Sequence, residues 1–450
     1  MKRVVRLVIK MAFCSIPVFS VYADDLSAVY QQALASDPTF KKANADWLTA
    51  KENLPLAMTG NGAPGSGLFP NIAVSGTVGR TYYPNQDRIQ SETYVVSMTQ
   101  PIFNLATWQS IGSAHYSVKA ATAQYLAASQ DLMSRTAMAY FEVLRANEKL
   151  NLTIAQKKQF FIQYQTMKSK YEVGLVAVTP LYDAEAKYDQ SIAQEIKDRN
   201  NLQNNLENLR AITGKEYQSL ASLNAKIPLA IPSPKNMNQW VATAEKQNYL
   251  IQSDLNLMYS SKKNISVAKA GYLPTLNLVG SYQNGMTNLS GPVSQSTPDI
   301  EQTQVGLNLT FPIFRGGYDG VNTKQARYKY LAASDQLEMD HRQVVTNTQK
   351  AFLGVASGIS QITADQQAII SAKKQLDATQ QGFEVGTRTM EDVLDSVTGL
   401  TTVQQQYADD RYNYIDNIIN LKQQAGTLSP EDIAMINTWL GKEITFSFQP

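Results

Sequence analysis

Tyr171-Glu172-Val173-Gly174 recurs 212 residues further along the chain as Phe383-Glu384-Val385-Gly386. The same offset relates Asp198-Arg199 to Asp410-Arg411. Further pairs at an offset of 212 or 211 are Asp183 and Asp395, Gly214 and Gly426, Phe141 and Phe352, and Pro101-Ile102-Phe103 and Pro312-Ile313-Phe314. A register held over more than 100 residues is hard to obtain by chance, so the pattern indicates an internal duplication.

Each half is predicted to contain a helix, two strands, a very long helix, a turn and another helix. Repeat 1 is predicted at 24–214 and repeat 2 at 238–428, with a linker at 215–237 and a C-terminal tail at 429–450. The predicted helices are about 25–58, 104–173, 180–213, 238–270, 318–385 and 391–425. The predicted strands are about 69–83, 93–103, 273–285 and 303–314.

The two long helices have an apolar period of 3.5 residues. Seven of the ten positions at this spacing from Tyr140 to Tyr171 are apolar or aromatic, and so are seven of ten from Phe352 to Phe383. This period is typical of a coiled-coil seam. A helix of about 70 residues would be roughly 105 Å long, and the flanking helices are about half that length. Two shorter helices placed end to end could therefore pair with one long helix.

The predicted strands alternate between apolar and small polar residues. The clearest case is Val305, Leu307, Leu309 and Phe311, which alternate with Gln304, Gly306, Asn308 and Thr310. This alternation of apolar and small polar residues matches the lipid-facing and lumen-facing sides of the strands in a membrane barrel. Aromatic residues occur near the strand ends, at Tyr82, Tyr83, Phe103, Tyr272 and Phe314. Four strands cannot close a barrel, because the smallest membrane barrels have about eight. Two, three or four copies of the chain would therefore have to share one, giving roughly 8, 12 or 16 strands.

The first 23 residues are predicted to be a secretory signal peptide. Lys2, Arg3, Arg6 and Lys10 precede an apolar run at 11–21, and Val21-Tyr22-Ala23 follows a pattern suited to cleavage. Removal would discard Cys14, the only cysteine, and four positive charges, changing the net charge from +2 to −2. This charge balance argues against nucleic-acid binding. Beyond residue 23 no run of 18 apolar residues predicts a transmembrane helix.

The chain offers little for catalysis. His115 and His341 are the only histidines, and they do not correspond in the duplication. Asp392 and Asp395 share one face of a predicted helix and could act as an acid and a base, but a ring of charge in a pore uses the same arrangement. We therefore predict no enzyme activity, no metal site and no cofactor.

The whole predicted mature chain resembles the TolC-type outer membrane factors. The resemblance lies in the duplication, the four strands, the long helices and four local sequences: 174–179, 386–395, 410–414 and 425–428. It implies an α+β membrane protein and a homotrimer, with a 12-stranded β-barrel in the outer membrane continuous with a periplasmic α-helical coiled-coil barrel. The implied function is an exit duct for multidrug efflux and type I secretion. The implied partners are a periplasmic adaptor and, through it, an inner-membrane RND or ABC transporter.

The resemblance also implies site residues at the two helix–helix turns. Asp392 and Asp395 match a periplasmic constriction, and Arg388 matches a residue that links the closed turns. The expected contacts of an adaptor with the helix tips are Gly174, Leu175, Val176, Gly386 and Thr387. Both glycines are predicted to end the long helices, since a positive φ is inexpensive for glycine.

This chain departs from the family pattern at the predicted latch. The aspartate that usually accompanies Arg388 is replaced by Pro180, and the usual tyrosine beside the turn is Phe383. We predict that Thr179 caps a helix beginning at Pro180, and that Asp183 replaces the missing partner of Arg388. An extra segment at 60–67, Gly-Asn-Gly-Ala-Pro-Gly-Ser-Gly, stands between helix and strand in repeat 1.

Two other functions remain open from sequence. An exported structural or adhesive coiled-coil protein would explain the long helices, and a passive outer membrane porin would explain the strands. A fibrous protein does not need four strands with a lipid-type pattern, and a porin does not need some 300 residues of helix.

Overall fold

The computed structural model describes residues 24–82, 88–290 and 300–446. The predicted signal peptide lies outside these residues, as do Tyr83 and the side chain of Tyr82. In the first half the helices are α1 (Leu26–Ser36), α2 (Pro38–Lys51), α3 (Asn53–Thr59), α4 (Leu105–Glu172) and α5 (Val178–Thr213). In the second half they are α6 (Met237–Gln247), α7 (Tyr249–Lys269), α8 (Tyr318–Glu384), α9 (Met390–Gln424) and α10 (Pro430–Asn437). The strands are β1 (Asn71–Tyr82), β2 (Arg88–Phe103), β3 (Ser219–Leu223), β4 (Thr275–Ser290), β5 (Ile300–Thr310) and β6 (Leu440–Thr445).

Two very long helices organise the molecule. α4 has 68 residues and α8 has 67, so each is about 100 Å long at 1.5 Å per residue. α4 packs against α5 and α7, and α8 packs against α9, α7 and α6. Shorter helices thus lie along different parts of each long one. No described helix has the length and hydropathy required to cross a membrane.

The predicted helix at 25–58 is wrong as a single element, because the chain divides it into α1, α2 and α3. Asp37 separates the first two, and its side chain accepts a hydrogen bond from the backbone N–H of Phe40 at 2.6 Å. Pro38 then begins α2, at a position where no intrahelical N–H bond is lost. The second break, at Glu52, precedes Pro55, whose ring would clash with a continuous preceding turn.

The predicted helix at 238–270 is likewise two helices, divided at Asn248. The Asn248 side chain accepts hydrogen bonds from the N–H groups of Leu250 and Ile251 at 2.9 and 3.3 Å and so caps α7. Its amide also donates to the carbonyl of Gln424 at 2.8 Å. The break therefore connects the start of α7 to the end of α9.

The four long strands form one antiparallel sheet in the order β1-β2-β4-β5. β2 pairs with β4 and so joins the two halves of the duplication. β1 and β5 are the two edges. Apolar side chains on both edge strands are exposed, among them Ile72, Val74, Val78, Val305, Leu307 and Leu309.

The predicted strands leave 84–92 and 286–302 as connections, but the observed strands extend into both. Arg88 pairs with Tyr82 and with Ser290, so the sheet continues beyond the apolar part of each strand. Strand pairing uses backbone N–H and C=O groups, and polar side chains therefore do not end it.

The linker and the tail together build a second, two-stranded sheet. β3, from the linker, pairs antiparallel with β6, from the tail. Beside it, the buried Tyr140 of α4 donates its hydroxyl hydrogen to the carbonyl of Ala221 at 2.7 Å. Both segments thus belong to the largest apolar core, which contains residues of α1, α4, α5, α8, α9 and α10.

The extra segment at 60–67 is folded against the junction of sheet and helices. Asn104 donates to the carbonyl of Gly65 at 3.1 Å, and Thr107 donates to that of Ser66 at 2.5 Å. A Cβ at Gly67 would lie 2.5 Å from the backbone carbon of Thr59, so this close turn requires glycine.

Candidate functional site

Both long helices end in the same glycine turn. Gly174 follows α4 with φ of 75°, and Gly386 follows α8 with φ of 80°. Leu175 N–H donates to the carbonyl of Lys170 at 2.8 Å, and Thr387 N–H donates to that of Gly382, also at 2.8 Å. These bonds are typical of the Schellman motif, in which a left-handed residue closes the helix. Both glycines therefore have the positive φ that was predicted for the ends of the long helices.

The start of α9 is held by a capping box made of Thr389 and Asp392. The Asp392 carboxylate accepts hydrogen bonds from the backbone N–H and the hydroxyl of Thr389, each at 2.9 Å. In return, Asp392 N–H donates to the Thr389 hydroxyl at 3.1 Å. Hydrogen bonds from the Thr389 backbone, then from its hydroxyl, lower the pKa of Asp392 and keep it ionised. One predicted constriction carboxylate therefore also has a structural task.

The start of α5 has no such cap, and the prediction that Thr179 is its N-cap is wrong. The helix begins at Val178, and Ala177 occupies the cap position without a side-chain hydrogen bond. Pro180 falls in the first turn, where its missing N–H would have no intrahelical partner. Ala177 and Pro180 stand 212 residues before Thr389 and Asp392, so the first half lacks both members of the box.

An apolar cluster lies near the two turns and joins the two helix hairpins. Its buried members come from α4, α5 and α9: Phe160, Met167, Ala184, Met390, Val393, Leu394 and Val397. Phe383 of α8 packs against them. The cluster fixes how α4–α5 and α8–α9 lie against each other at this end of the molecule.

Two polar contacts cross between the hairpins in the same region. Lys187 of α5 forms an ion pair with Asp395 of α9, with Nζ and Oδ1 3.2 Å apart. Lys170 of α4 lies over the ring of Phe383 in α8, with Nζ 4.7 Å from the ring centroid. Asp395 nevertheless stays 63% exposed at its side chain, so its charge remains available to solvent or to an ion.

Arg388 and Asp183 are not brought together within one chain. Among the described residues, no ion pair joins them, and both side chains are exposed. The Arg388 side chain lies against Gly382, where an added Cβ would be 2.7 Å from Cγ of the arginine. The prediction that Asp183 is the partner of Arg388 is not tested by a single chain, since neighbouring copies could also bring the two together.

The tips themselves expose apolar side chains. Leu175 is 74% exposed and Val385 is 75% exposed, and Val173 beside the first turn is also exposed. Val176 is half-buried, and Thr387 is exposed but bonds its hydroxyl to the carbonyl of Gly382 at 3.0 Å. The described residues contain no group of three or more His, Cys, Asp or Glu side chains arranged to hold a metal ion.

Three residues of this region were not predicted from sequence: Lys170, Lys187 and Gly382. The duplication carries a signal for both lysines, because the residues 212 positions after Lys170 and Lys187 are Gly382 and Gly399. Because the second half has no cation at the position of Lys187, Lys187 can pair with Asp395 of the second half without competition from a corresponding cation there. The contacts of Lys170 with Phe383 and of Gly382 with Arg388 depend on how the turns pack.

Comparison with known proteins supports the family suggested by the fold. A family model described as outer membrane efflux protein matches residues 29–215 and 241–427, one match in each half. The chain belongs to the outer membrane efflux protein family. Outer membrane protein TolC of Salmonella enteritidis is 35% identical, with 99% of this chain and 91% of the relative covered.

Two further proteins extend the comparison. The proteases secretion protein PrtF of Dickeya chrysanthemi is 25% identical, with 93% of this chain and 92% of the relative covered. The crystal structure of the CmeC outer membrane channel of Campylobacter jejuni has a TM-score of 0.76 at 19% identity, covering 92% of this chain and 90% of that one. This last likeness concerns the fold.

Membership of the family confirms the predicted localisation in the outer membrane, with a periplasmic portion. It is a family of channels and not of enzymes. It also favours an efflux channel over an adhesive coiled-coil protein or a passive porin.

Proposed function

We propose that this protein is the outer membrane exit duct for efflux pumps and type I secretion systems, formed by three copies of the chain. The observation that carries the proposal is the combination, in one chain, of a sheet with exposed apolar edges and helices of about 100 Å. Such helices are long enough to extend a channel far from the membrane. The relatives named TolC and PrtF support the two uses, efflux and protein secretion.

Complementation tests this function. A strain lacking its own channel is expected to regain drug resistance and secretion of a type I substrate when it expresses this chain. The control is a variant truncated before α8, which should be exported but form no duct. Normal outer membrane insertion without recovery of either trait would contradict the proposal.

Three copies would complete the sheet. The edges β1 and β5 have unpaired backbone groups on one side in a single chain. In lipid such groups cost several kcal/mol each, roughly, so they must pair with another copy. Three four-stranded sheets would give a barrel of about 12 strands, continuous with a tunnel of helices.

A detergent-stable trimer is therefore the expected state of the purified protein. Light scattering in detergent should give three times the chain mass after subtraction of the micelle. Pro substitutions on β5 at Leu307 and Leu309, which would disturb pairing at the edge, should reduce the trimer fraction. A stable monomer or dimer of the unchanged protein would refute the trimer.

The turns after α4 and α8 would form the periplasmic tip. There a periplasmic adaptor would contact Gly174, Leu175, Val176, Gly386 and Thr387, and the adaptor would connect the duct to an inner-membrane RND or ABC transporter. The exposed apolar side chains at the tips support this assignment, because an adaptor hairpin can bury them. No nucleic acid has a role in this assembly.

Arg388 and Asp183 would form the latch between neighbouring copies, alongside Thr179 and Phe383. We expect Arg388→Ser and Asp183→Ala to raise single-channel conductance equally, and the double variant to add nothing further, as for two partners of one contact. Each exposed pair contributes only about 0–1 kcal/mol, but three copies act together on the closed state. Asp189→Ala is the matched control, since Asp189 is an exposed acid on the same helix. An effect of Arg388→Ser alone would show that Asp183 is not its partner.

A further inference from the structure

Two carboxyl groups face each other between α8 and α9, away from the tip. Asp365 of α8 is only 6% exposed, and its Oδ2 has no hydrogen-bond partner. The carboxyl group of Asp410 in α9 lies within hydrogen-bonding reach of it. Gln361 donates to Asp365 Oδ1 at 3.2 Å, and Gln406 donates to Asp410 Oδ2 at 3.0 Å. One more hydrogen, between the two acids, would satisfy the unpartnered oxygen.

At the corresponding positions, the first half of the duplication has one acid and one hydroxyl group instead of two acids. Thr153 and Asp198 stand 212 residues before Asp365 and Asp410. The Thr153 hydroxyl donates to Asp198 Oδ2 at 2.7 Å, and Gln194 donates to Oδ1 at 2.9 Å. Lys149 adds a positive charge 4.0 Å from Asp198, and its counterpart in the second half is the neutral Gln361. Both the hydroxyl donor and the cation of the first half are thus missing from the second.

We propose that Asp365 and Asp410 form a proton-binding site that holds α8 against α9 when occupied and loosens this helix pair when the proton leaves. With the proton bound, one carboxylic acid donates to the other carboxylate across the two helices. Without it, two negative charges face each other, one buried at Asp365 and one half-buried at Asp410, and repel. The hairpin that responds is the one that carries Arg388, Asp392 and Asp395 at its far end.

The charges around the site do not replace the missing cation. Arg145 of α4 forms an ion pair with Asp416 of α9 at 2.8 Å, and Lys149 of α4 lies 4.0 Å from Asp198, so both cations have other acids as partners. Arg411, next to Asp410 on α9, is paired with Glu148 of α4 at 3.4 Å. On α8 the group that is hydrogen-bonded to Asp365 is the neutral amide of Gln361.

The direction of the pH dependence follows from these contacts. Burial, then the hydrogen bond and charge of Asp410, raise the pKa of Asp365. The folded protein therefore holds this proton at a pH where the unfolded chain, with a pKa of about 3.9, has already lost it. Stability contributed by the bound proton is full below about pH 4 and decreases as the pH rises through the folded pKa.

A second acid pair of the same half must be separated from this effect. Asp254 of α7 is buried beside Asp340 of α8, and burial, then Asp340, raise the pKa of Asp254 to about 6. Asp254 thus adds its own loss of stability as the pH rises through about 6. Only the difference between the unchanged protein and a variant at position 365 isolates the proposed site.

The test is thermal unfolding of the detergent-solubilised protein between about pH 4 and about pH 8. Asp365→Thr copies the first half and leaves Asp410 with a hydroxyl donor. At about pH 7.5 this variant is expected to melt about 1–3 °C above the unchanged protein, and at about pH 4 the two should coincide. Asp365→Asn is a second variant with the same expectation, in case the threonine disturbs packing. The reverse change, Thr153→Asp with Lys149→Gln, should lower the melting temperature at about pH 7.5 and not at about pH 4.

Distances between α8 and α9 give an independent measurement. Cys14 is the only cysteine in the sequence, so nitroxide labels can be placed on Ala364→Cys and Thr402→Cys in the mature chain. The distribution of distances should broaden from about pH 5 to about pH 7.5, and Asp365→Thr should keep it narrow at both.

Three outcomes would overturn the proposal. The first is a melting difference between Asp365→Thr and the unchanged protein that is the same at every pH. The second is no difference at any pH. The third is stabilisation of the unchanged protein, but not of Asp365→Thr, by millimolar calcium near pH 7.5, which would identify a divalent-cation site instead.

Discussion

Channels with Asp392→Asn and Asp395→Ala together are expected to lose their block by hexaammine-type trivalent cations applied from the periplasmic side. In the proposed trimer these positions would bring six carboxylates to the mouth of the duct, and such rings attract and bind cations. The half-blocking concentration should rise at least about tenfold, because affinity follows the number of charged ligands. Asparagine is chosen at 392 because its amide oxygen can still accept a hydrogen bond from Thr389 and retain the cap of α9.

Lys187 supplies a control with the opposite sign. Its ion pair with Asp395 offsets part of the negative charge at the mouth. Lys187→Ala should therefore lower the half-blocking concentration, whereas Lys170→Ala, which removes a cation held over the ring of Phe383, should change it less. Unaltered block in the double aspartate variant, or weaker block in Lys187→Ala, would exclude this ring as the cation site.

Loss of efflux with normal insertion is the second large effect, expected for Gly174→Val combined with Gly386→Val. Both glycines have a left-handed φ, of 75° and 80°. No atom lies within 4 Å of an added Cβ at either position, so the penalty arises from the backbone and not from a clash. A left-handed conformation costs a non-glycine residue about 1–2 kcal/mol, and more for a β-branched one. Valine should therefore refold both turns.

Gly399→Ala is the matched control for the glycine variants. Gly399 lies inside α9, and a Cβ there also meets no atom within 4 Å. Alanine is favoured over glycine in a helix by roughly 1 kcal/mol, so this variant should keep full efflux. Drug sensitivity and the amount of protein in the outer membrane are measured together. Resistance equal to that of the unchanged protein in the double valine variant would remove the assignment of the turns to the functional tip.

The elements that sequence placed well are those with long, regular patterns. An apolar period of 3.5 residues over dozens of residues is compatible with little other than a long helix. Accordingly, α4 and α8 begin and end within a residue or two of the predicted 104–173 and 318–385. Because the two halves are duplicates, the order of elements predicted for one half could also be predicted for the other. Strand ends were less accurate, because backbone pairing continued from Tyr82 and Arg88 through polar residues whose side chains carry no such pattern.

The elements that sequence missed depend on contacts between distant residues. Asn248 interrupts a helical pattern while its amide bonds a carbonyl 176 residues away, at Gln424. The cap of α5 was assigned to Thr179 from its residue type, although the helix starts one residue before it. Lys187 was overlooked because nothing in its own neighbourhood indicates Asp395, 208 residues further on.

The pairing of β2 with β4 within one chain shows how a joint between subunits would be built. Inside one chain, the second strand of the first half pairs with the first strand of the second half. In a closed ring, β5 of one copy would meet β1 of the next, and the duplication makes these the same two strand types. Joints within one chain and joints between chains would then alternate around a pseudo-sixfold ring. A chain with a single half would need six separate copies for the same ring, so placing two halves in one chain would halve the number of joints that must form between separate chains.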